Sequence, residues 1–298
     1  MKIILQKKKL VLWLGAVLIL LFTGFVVWLS YTQKRMLINS HNESLQTLAN
    51  EKALLVNTFL EFQKEKLLTI ASMNVFKEAV KYPNDPAKIA IAKNRINELK
   101  SIIPEISILT NEGIVLTGEI DLSEIKVNGL SYFDLKEKDI IIEHYYCEHR
   151  KKDFYVVAGP IYDSMAKNKV IGITAFDIEL DKISALMNES LENDSKEVYL
   201  INETGLLLSN SKYIGSGNKK GVLLQEVKSN GVNACLADLK KYQKDGAFEE
   251  HKDKISQYIN YMGDEVFGAI APVPSIMGCV IAEESAKKVL GIFDVKLY

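Results

Sequence analysis

An uncharged run of 24 residues near the N-terminus constrains this chain more than any other feature. Residues 10–33 carry no charged side chain, and lysine or arginine flanks the run at positions 7–9 and 34–35. A helix rises about 1.5 Å per residue, so the run would reach roughly 36 Å, whereas the hydrocarbon core of a bilayer is about 30 Å thick. We therefore expect a transmembrane helix over residues 10–33.

The positive charges before the run predict its orientation. Lys2 and the lysines at 7–9 precede it, and such residues are favoured on the cytoplasmic side. A cleaved signal peptide would have an apolar region of about 7–15 residues and a small-residue cleavage site, and the sequence has neither. We expect a single-pass protein of the cell membrane, with a cytoplasmic tail at residues 1–9 and its bulk outside the cytoplasm.

The composition excludes some classes of partner. The 37 Lys and Arg residues and the 38 Asp and Glu residues nearly cancel, which leaves no basic field for nucleic acid. The three cysteines are too few for a disulfide framework. An oxidising exterior would allow one bridge and leave one thiol over, and we expect no disulfide to be required.

The segment after the span has the pattern of a long helix. From Lys34 to about Tyr82 it contains no glycine, and apolar residues recur at spacings of three, four and seven. This helix could form a stalk that pairs with a copy of itself, or it could lie along its own domain. Two prolines at 83 and 86 end it, and a second helix is expected from about Ala87 to Ser101. We assign residues 34–101 to these two helices.

An internal repeat predicts the rest of the fold. Residues 106–117 resemble residues 198–209, because in each an apolar strand enters a polar turn, a glycine closes the turn, and a second strand leaves. Strand pairs at 155–177 and 267–283 repeat in the same order. We expect an α+β protein with two similar antiparallel sheets of about five strands, in modules 102–192 and 193–298, joined by a polar helix from Leu180 to Leu191.

This order of elements, with three short motifs in the first module, resembles a known family. The motifs are Pro160–Asp163, Val170–Ile173 and Phe176–Leu180. The chain resembles, over roughly Lys34 to Val289, the double Cache (dCache) domains. These are tandem PAS-like extracytoplasmic sensors of bacterial and archaeal chemoreceptors, sensor histidine kinases and diguanylate cyclases. The resemblance implies that the membrane-distal first module binds a small molecule and that the membrane-proximal second module relays the change.

The resemblance also implies candidate ligand-binding residues. Asp177 matches the aspartate that holds a ligand ammonium group, although an aspartate there could instead cap the following helix. Tyr132 matches an aromatic residue at the rim of the pocket. The Arg and Trp that precede it in the family are replaced here by Leu130 and Ser131, which argues against a guanidinium clamp on a ligand carboxylate.

Three further candidates lie on the strands of the hairpin. Tyr145 and Cys147 fall on the strand before the hairpin turn, and Tyr155 falls on the strand after it. Alternation places Tyr145, Cys147 and His149 on one face of the strand and His144 and Tyr146 on the other. The alignment favours the Tyr145 face. In the second module the counterpart of Asp177 is Glu283, which with Glu284 reads as the solvated start of a helix.

The predicted function is a small-molecule sensing input domain of a transmembrane receptor of the chemotaxis or two-component type, with its output part absent from this chain. The alternative is a membrane-anchored binding protein that acts through a partner receptor. No nucleophile and base occur in a recognisable arrangement, so we expect no catalytic residue and no cofactor. Alternation separates His144 from Cys147 and His149, so we expect no metal site. The expected partners are an amine or amino-acid ligand, the membrane, and a second copy paired through the stalk helix.

Overall fold

The computed structural model describes residues 2–103, 105–118, 140–147, 150, 152–166, 169–189, 191, 196–211, 226–245 and 257–291, with backbone alone at 2–12, 143–146, 153, 243 and 245. The chain is an α+β protein with one long N-terminal helix and two antiparallel sheets.

The first helix is continuous across the two segments that the sequence separated. Helix α1 covers Lys2–Ser72, so the apolar run and the stalk form one helix of 71 residues. The part of α1 near the N-terminus is long and apolar enough to cross a membrane, and none of that stretch is buried against the rest of the protein. The expected continuation to Tyr82 is wrong, because the chain leaves the helix at Met73 and α2 covers Asn74–Lys81.

Helix α3 covers Pro86–Leu99, close to the expected range. Its start has two local causes. The carboxylate of Asp85 accepts the backbone N–H of Ala87 at 2.9 Å and that of Lys88 at 3.4 Å. Pro86 occupies the first helical position, where its missing N–H costs nothing.

Each sheet is antiparallel. The first has the strand order β2-β1-β5-β4-β3 and the second has the order β6-β9-β8-β7. The first sheet has the five strands expected, and the second has four within the described ranges. The strands are β1 Ile106–Thr110, β2 Val115–Thr117, β3 Ile141–Cys147, β4 Lys152–Tyr162, β5 Val170–Glu179, β6 Lys196–Ile201, β7 Gln257–Ile259, β8 Glu265–Val273 and β9 Gly278–Ser285.

Three shorter α-helices and a 3-10 helix at Pro274–Ile276 complete the described part. Helix α4, Leu180–Asn188, joins the two sheets and ends three residues before the expected Leu191. Helix α5 covers Asn230–Asp245 and helix α6 covers Ala286–Leu290. The predicted repeat is visible in the turns, since Gly113 and Gly205 both have positive φ angles, 85° and 82°.

Each sheet has an inner face against α1 and an outer face. The middle of α1 lies along both inner faces, which makes it a packed helix of its own domain there. Its buried residues include Leu45, Ala49, Val56, Leu60 and Leu67. The outer face of the first sheet carries a separate apolar cluster that includes Phe154 and Ala175. The outer face of the second carries another, covered by α5.

A disulfide bond joins Cys235 of α5 to Cys279 of β9. It corresponds to the single bridge that the cysteine count allowed, and the expectation that no disulfide is required stays a prediction. The remaining thiol, Cys147, is buried.

Candidate ligand-binding site on the first sheet

Asp177 lies on the outer face of the first sheet, two residues before the end of β5. Its neighbours Phe176 and Ile178 point into the core beneath α1, so strand alternation directs Asp177 to the other side. The Asp177 side chain is only 2% exposed. A carboxylate buried to this extent needs a cation or several hydrogen-bond donors to offset its lost hydration.

Arg150 supplies that cation from the turn between β3 and β4. Its Nη2 forms an ion pair with Oδ2 of Asp177, and its Nη1 forms one with Oε2 of Glu105. Its Nε donates to Sγ of Cys147 at 3.4 Å, and its guanidinium carbon lies 3.7 Å from the centroid of the Phe154 ring. The planar guanidinium can serve all of these contacts at once, which lysine could not do.

The resulting cluster places two carboxylates around one guanidinium. The formal charge of these three side chains is therefore −1, and the burial of Asp177 strengthens its ion pair. A ligand ammonium group would meet favourable charge here. Within the described ranges, no three His, Cys, Asp or Glu side chains are grouped to hold a metal ion.

Cys147 and Asp177 are the two predicted site residues that the structure brings together, both in contact with Arg150. Tyr145 lies on β3 opposite Phe154 in the β3–β4 register, but its side chain is not among those described. Tyr132 lies outside the described residues. The reading of Asp177 as a helix cap is wrong, because the N-cap of α4 is Glu179 and Asp177 pairs with Arg150 instead.

Tyr155 lies on the opposite face from this cluster. Because Phe154 and Val156 belong to the outer apolar cluster, Tyr155 points inward, where it is 1% exposed. Its hydroxyl donates to the carbonyl of Leu208, in the segment that follows β6, at 3.3 Å. Burial raises the pKa of Tyr155 well above 10. The structure therefore places Tyr155 against the segment that follows β6 and on the opposite face of the first sheet from Asp177.

Sequence reasoning missed Arg150. No motif marks it, since its acidic partner Asp177 is 27 residues further along the chain. The usable signal was the strand register, because β3 and β4 form a hairpin whose turn lies beside the end of β5. An arginine in that turn is well placed to reach a carboxylate there.

The prediction for Glu283 and Glu284 is wrong. Strand β9 continues to Ser285 and α6 begins only at Ala286, so neither carboxylate starts a solvated helix. Glu283 faces outward and Glu284 faces α1, where its Oε2 lies 3.1 Å from Nδ1 of His41. Both residues are buried. A pair of adjacent acidic residues resembles a helix start locally, whereas here pairing with β6 and β8 extends the strand.

The sequence profile described as Cache domain matches residues 33–288 of this chain. Among solved structures, the chain is similar to the sensor domain of the histidine kinase DctB from V. cholerae, with 11% identity and a TM-score of 0.56 over 85% of this chain and 98% of that one. No curated protein sequence matches it.

Two chemoreceptor domains with bound ligands are also similar in structure. The Campylobacter jejuni receptor Tlp3, solved with isoleucine, has 17% identity and a TM-score of 0.57, over 86% of this chain and 97% of that one. The Pseudomonas fluorescens receptor CtaA, solved with L-isoleucine, has 13% identity and a TM-score of 0.55, over 88% and 99%. At these identities the similarity establishes the fold.

Proposed function

Because this chain belongs to the Cache domain family, we propose that it is an extracytoplasmic sensing input domain of a transmembrane receptor, with a small molecule bound on the outer face of the first sheet. The observation that carries the proposal is the cluster of half-buried Arg150 and Glu105 around the buried carboxylate of Asp177. An ion pair at a buried carboxylate adds little stability by itself, so its presence on a sheet face favours a binding role.

We propose an amine or amino acid as the ligand. Its ammonium group would replace the guanidinium of Arg150 at Asp177, exchanging one charge-assisted contact for another. Arg150, once released, would be available to a ligand carboxylate while Glu105 holds its other nitrogen. The related receptors Tlp3 and CtaA, which hold isoleucine, are compatible with a ligand of this kind.

The proposed arrangement in the membrane follows from the charge pattern and from α1. Residues 1–9 would lie in the cytoplasm, residues 10–33 would span the bilayer, and residues 34–101 would lead to a distal module at 102–192 and a proximal module at 193–298. Helix α1 would pair with a second copy in a homodimer. A membrane-impermeant maleimide applied to intact cells should label a cysteine introduced at exposed Met165 and should not label one introduced at Lys2.

Signal transfer requires that the ligand bind one state better than the other, since equal affinity shifts nothing. Rearrangement at Arg150 would move the β3–β4 turn and the end of β5. Helix α4 follows β5 directly, and α1 packs against it. The change could therefore reach the transmembrane end of α1 through elements that already touch.

Replacing Asp177 by Asn should weaken ligand binding at least tenfold, because the amide is isosteric and cannot form an ion pair with ammonium. The full chain in detergent micelles would first be screened by thermal shift against amino acids and amines, where a ligand that binds the native state raises the melting temperature. Titration calorimetry would then compare wild type with the Asp177→Asn variant.

The matched control is Asp181→Asn, which changes an exposed carboxylate one turn further along the chain. It should leave the dissociation constant unchanged. An identical dissociation constant for Asp177→Asn and wild type would contradict the proposed site. A panel in which no amine or amino acid raises the melting temperature would contradict the proposed ligand class.

A further inference from the structure

Two buried carboxylates face each other on the outer side of the second sheet. Glu197 of β6 and Glu283 of β9 are direct partners in the antiparallel register. They are 4% and 1% exposed. Side chains directly opposite each other on one face lie about 5 Å apart, and two like charges at that spacing destabilise a sheet. Both groups are therefore costly to ionise together.

Hydroxyl groups surround the pair. Oε1 of Glu283 accepts hydrogen bonds from the hydroxyls of Tyr199 at 2.9 Å and Tyr258 at 2.7 Å. Oε1 of Glu197 accepts from the hydroxyl of Tyr261 at 2.6 Å and from Ser211. These donors are neutral, so they stabilise a carboxylate less than a cation would.

Glu283 lacks the compensation that Asp177 has in the equivalent position of the first sheet. Among the described residues, no lysine, arginine or histidine forms an ion pair with Glu283, and its Oε2 has no hydrogen-bond partner. Helix α5 and strand β8 present Gly231 and Gly268, which lie against the Tyr258 ring.

The titratable groups that act on Glu283 are Glu197 of β6, Tyr199 of β6 and Tyr258 of β7, and Tyr261 lies beside Glu197. The pKa of Glu283 is raised to about 7, chiefly by burial and also by the charge of Glu197, while hydrogen bonds from Tyr258, Tyr199 and Asn260 act in the opposite direction. Burial and the nearby carboxylate also raise the pKa values of Tyr199 and Tyr258 well above 10, so these hydroxyls keep their protons.

We propose that Glu197 and Glu283 form a proton-binding site, so that the second module senses pH independently of the ligand site on the first. One proton held between the two carboxyl groups removes their repulsion and supplies a donor for the buried oxygens. Loss of that proton leaves two charges on the outer face of the sheet, where no residue in the described ranges forms an ion pair with Glu283.

The expected direction follows from the raised pKa. The native state binds the proton more tightly than the unfolded chain, where a glutamate titrates near 4.5. The stability that protonation supplies is complete below about 4.5 and is lost as the pH rises through about 7. The second module should therefore loosen in the mildly alkaline range. The same strand contacts α1 through Glu284 and His41, so the change has a direct route to the transmembrane helix.

The test is urea unfolding of the full chain in detergent micelles at a series of pH values between about 5 and 8, comparing wild type with Glu283→Gln. For wild type, loss of the proton from Glu283 should raise the unfolding equilibrium constant about 70-fold as the pH increases across this range. Glu283→Gln, which is neutral at every pH, should lose that part of the pH dependence and should be the more stable protein at the alkaline end.

Two control variants isolate the site. Glu203→Gln removes an exposed carboxylate in the turn after β6 and should keep the wild-type pH profile. His41→Gln removes the imidazole that contacts Glu284 on the inner side of β9. This variant should also keep most of the wild-type pH dependence. A Glu283→Gln profile as steep as that of wild type would overturn the proposal, as would a His41→Gln profile that is flat.

A second measurement covers the case in which Glu283→Gln does not fold. The infrared spectrum of the wild-type protein should contain a protonated carboxylic acid band that disappears as the pH rises through about 7. Absence of any such band between pH 5 and 7 would overturn the proposal without the need for a variant.

Discussion

Replacing both Cys235 and Cys279 by alanine should lower the free energy of unfolding of the second module by about 4 kcal/mol. The bond joins residues 44 positions apart and so restricts a large loop of the unfolded chain. It also fixes α5 against the outer face of the second sheet, inside the apolar cluster that both sulfurs help to form. Urea unfolding of the full chain in micelles would measure the change.

Reduction provides the matched comparison for this variant. Dithiothreitol should lower the stability of wild type to about that of the double alanine variant, and it should leave the variant unchanged. Alanine removes the bond without adding a polar atom to the apolar cluster, so the variant isolates the cross-link. Equal stability of wild type and variant under oxidising conditions would show that α5 is held by packing alone.

Replacing Lys52 by methionine should lower the free energy of unfolding by about 3 kcal/mol. Lys52 is 1% exposed on α1, and its Nζ donates to the carbonyls of Leu186, at 2.9 Å, and Glu189 at the end of α4. The last carbonyls of a helix have no partner within the helix, so Lys52 serves as a remote cap. Methionine has a similar length and removes the donors while keeping most of the packing.

The pKa of Lys52 is lowered by desolvation, while the carboxylates of Glu51 and Glu189 act in the opposite direction. The control is Lys182→Met, which changes an exposed lysine on α4 and should cost less than about 0.5 kcal/mol. If Lys52→Met were as stable as Lys182→Met, the contact between α1 and the end of α4 would not contribute to folding. Chemical denaturation of both variants in micelles decides between these results.

Local signals predicted most of the secondary structure. Strands β4, β5, β8 and β9 were expected because apolar runs bounded by glycine and proline are visible within about ten residues. The break of the first helix at Met73 was not expected, since no proline or glycine marks it and the Met73 side chain makes no capping hydrogen bond. Packing of α2 against β5 and β1 accompanies that break, and such contacts have no signature in the local sequence.

The candidate sites depended on contacts across the sequence, and prediction was correspondingly weaker. Asp177 and Cys147 were found through the family resemblance, whereas Arg150 is recognisable only once β3, β4 and β5 are aligned. The same holds for Glu283, whose tyrosine donors lie 84 and 25 residues away. For Tyr155, the sequence did not show which face of the sheet the side chain occupies. Alternation along β4 allows two assignments until the orientation of one residue is known.

Helix α1 is continuous from the apolar segment to Ser72. The residues beyond the apolar segment therefore have a fixed rotational orientation about the helix axis relative to that segment. A helix turns 100° per residue, so one extra residue inserted near Met36 would rotate everything beyond it by that angle relative to the apolar segment. Seven extra residues would restore the original direction to within about 20° and would only lengthen the rod by about 10 Å. The number of residues between Lys34 and Leu45 therefore sets the orientation of both sheets about the helix axis.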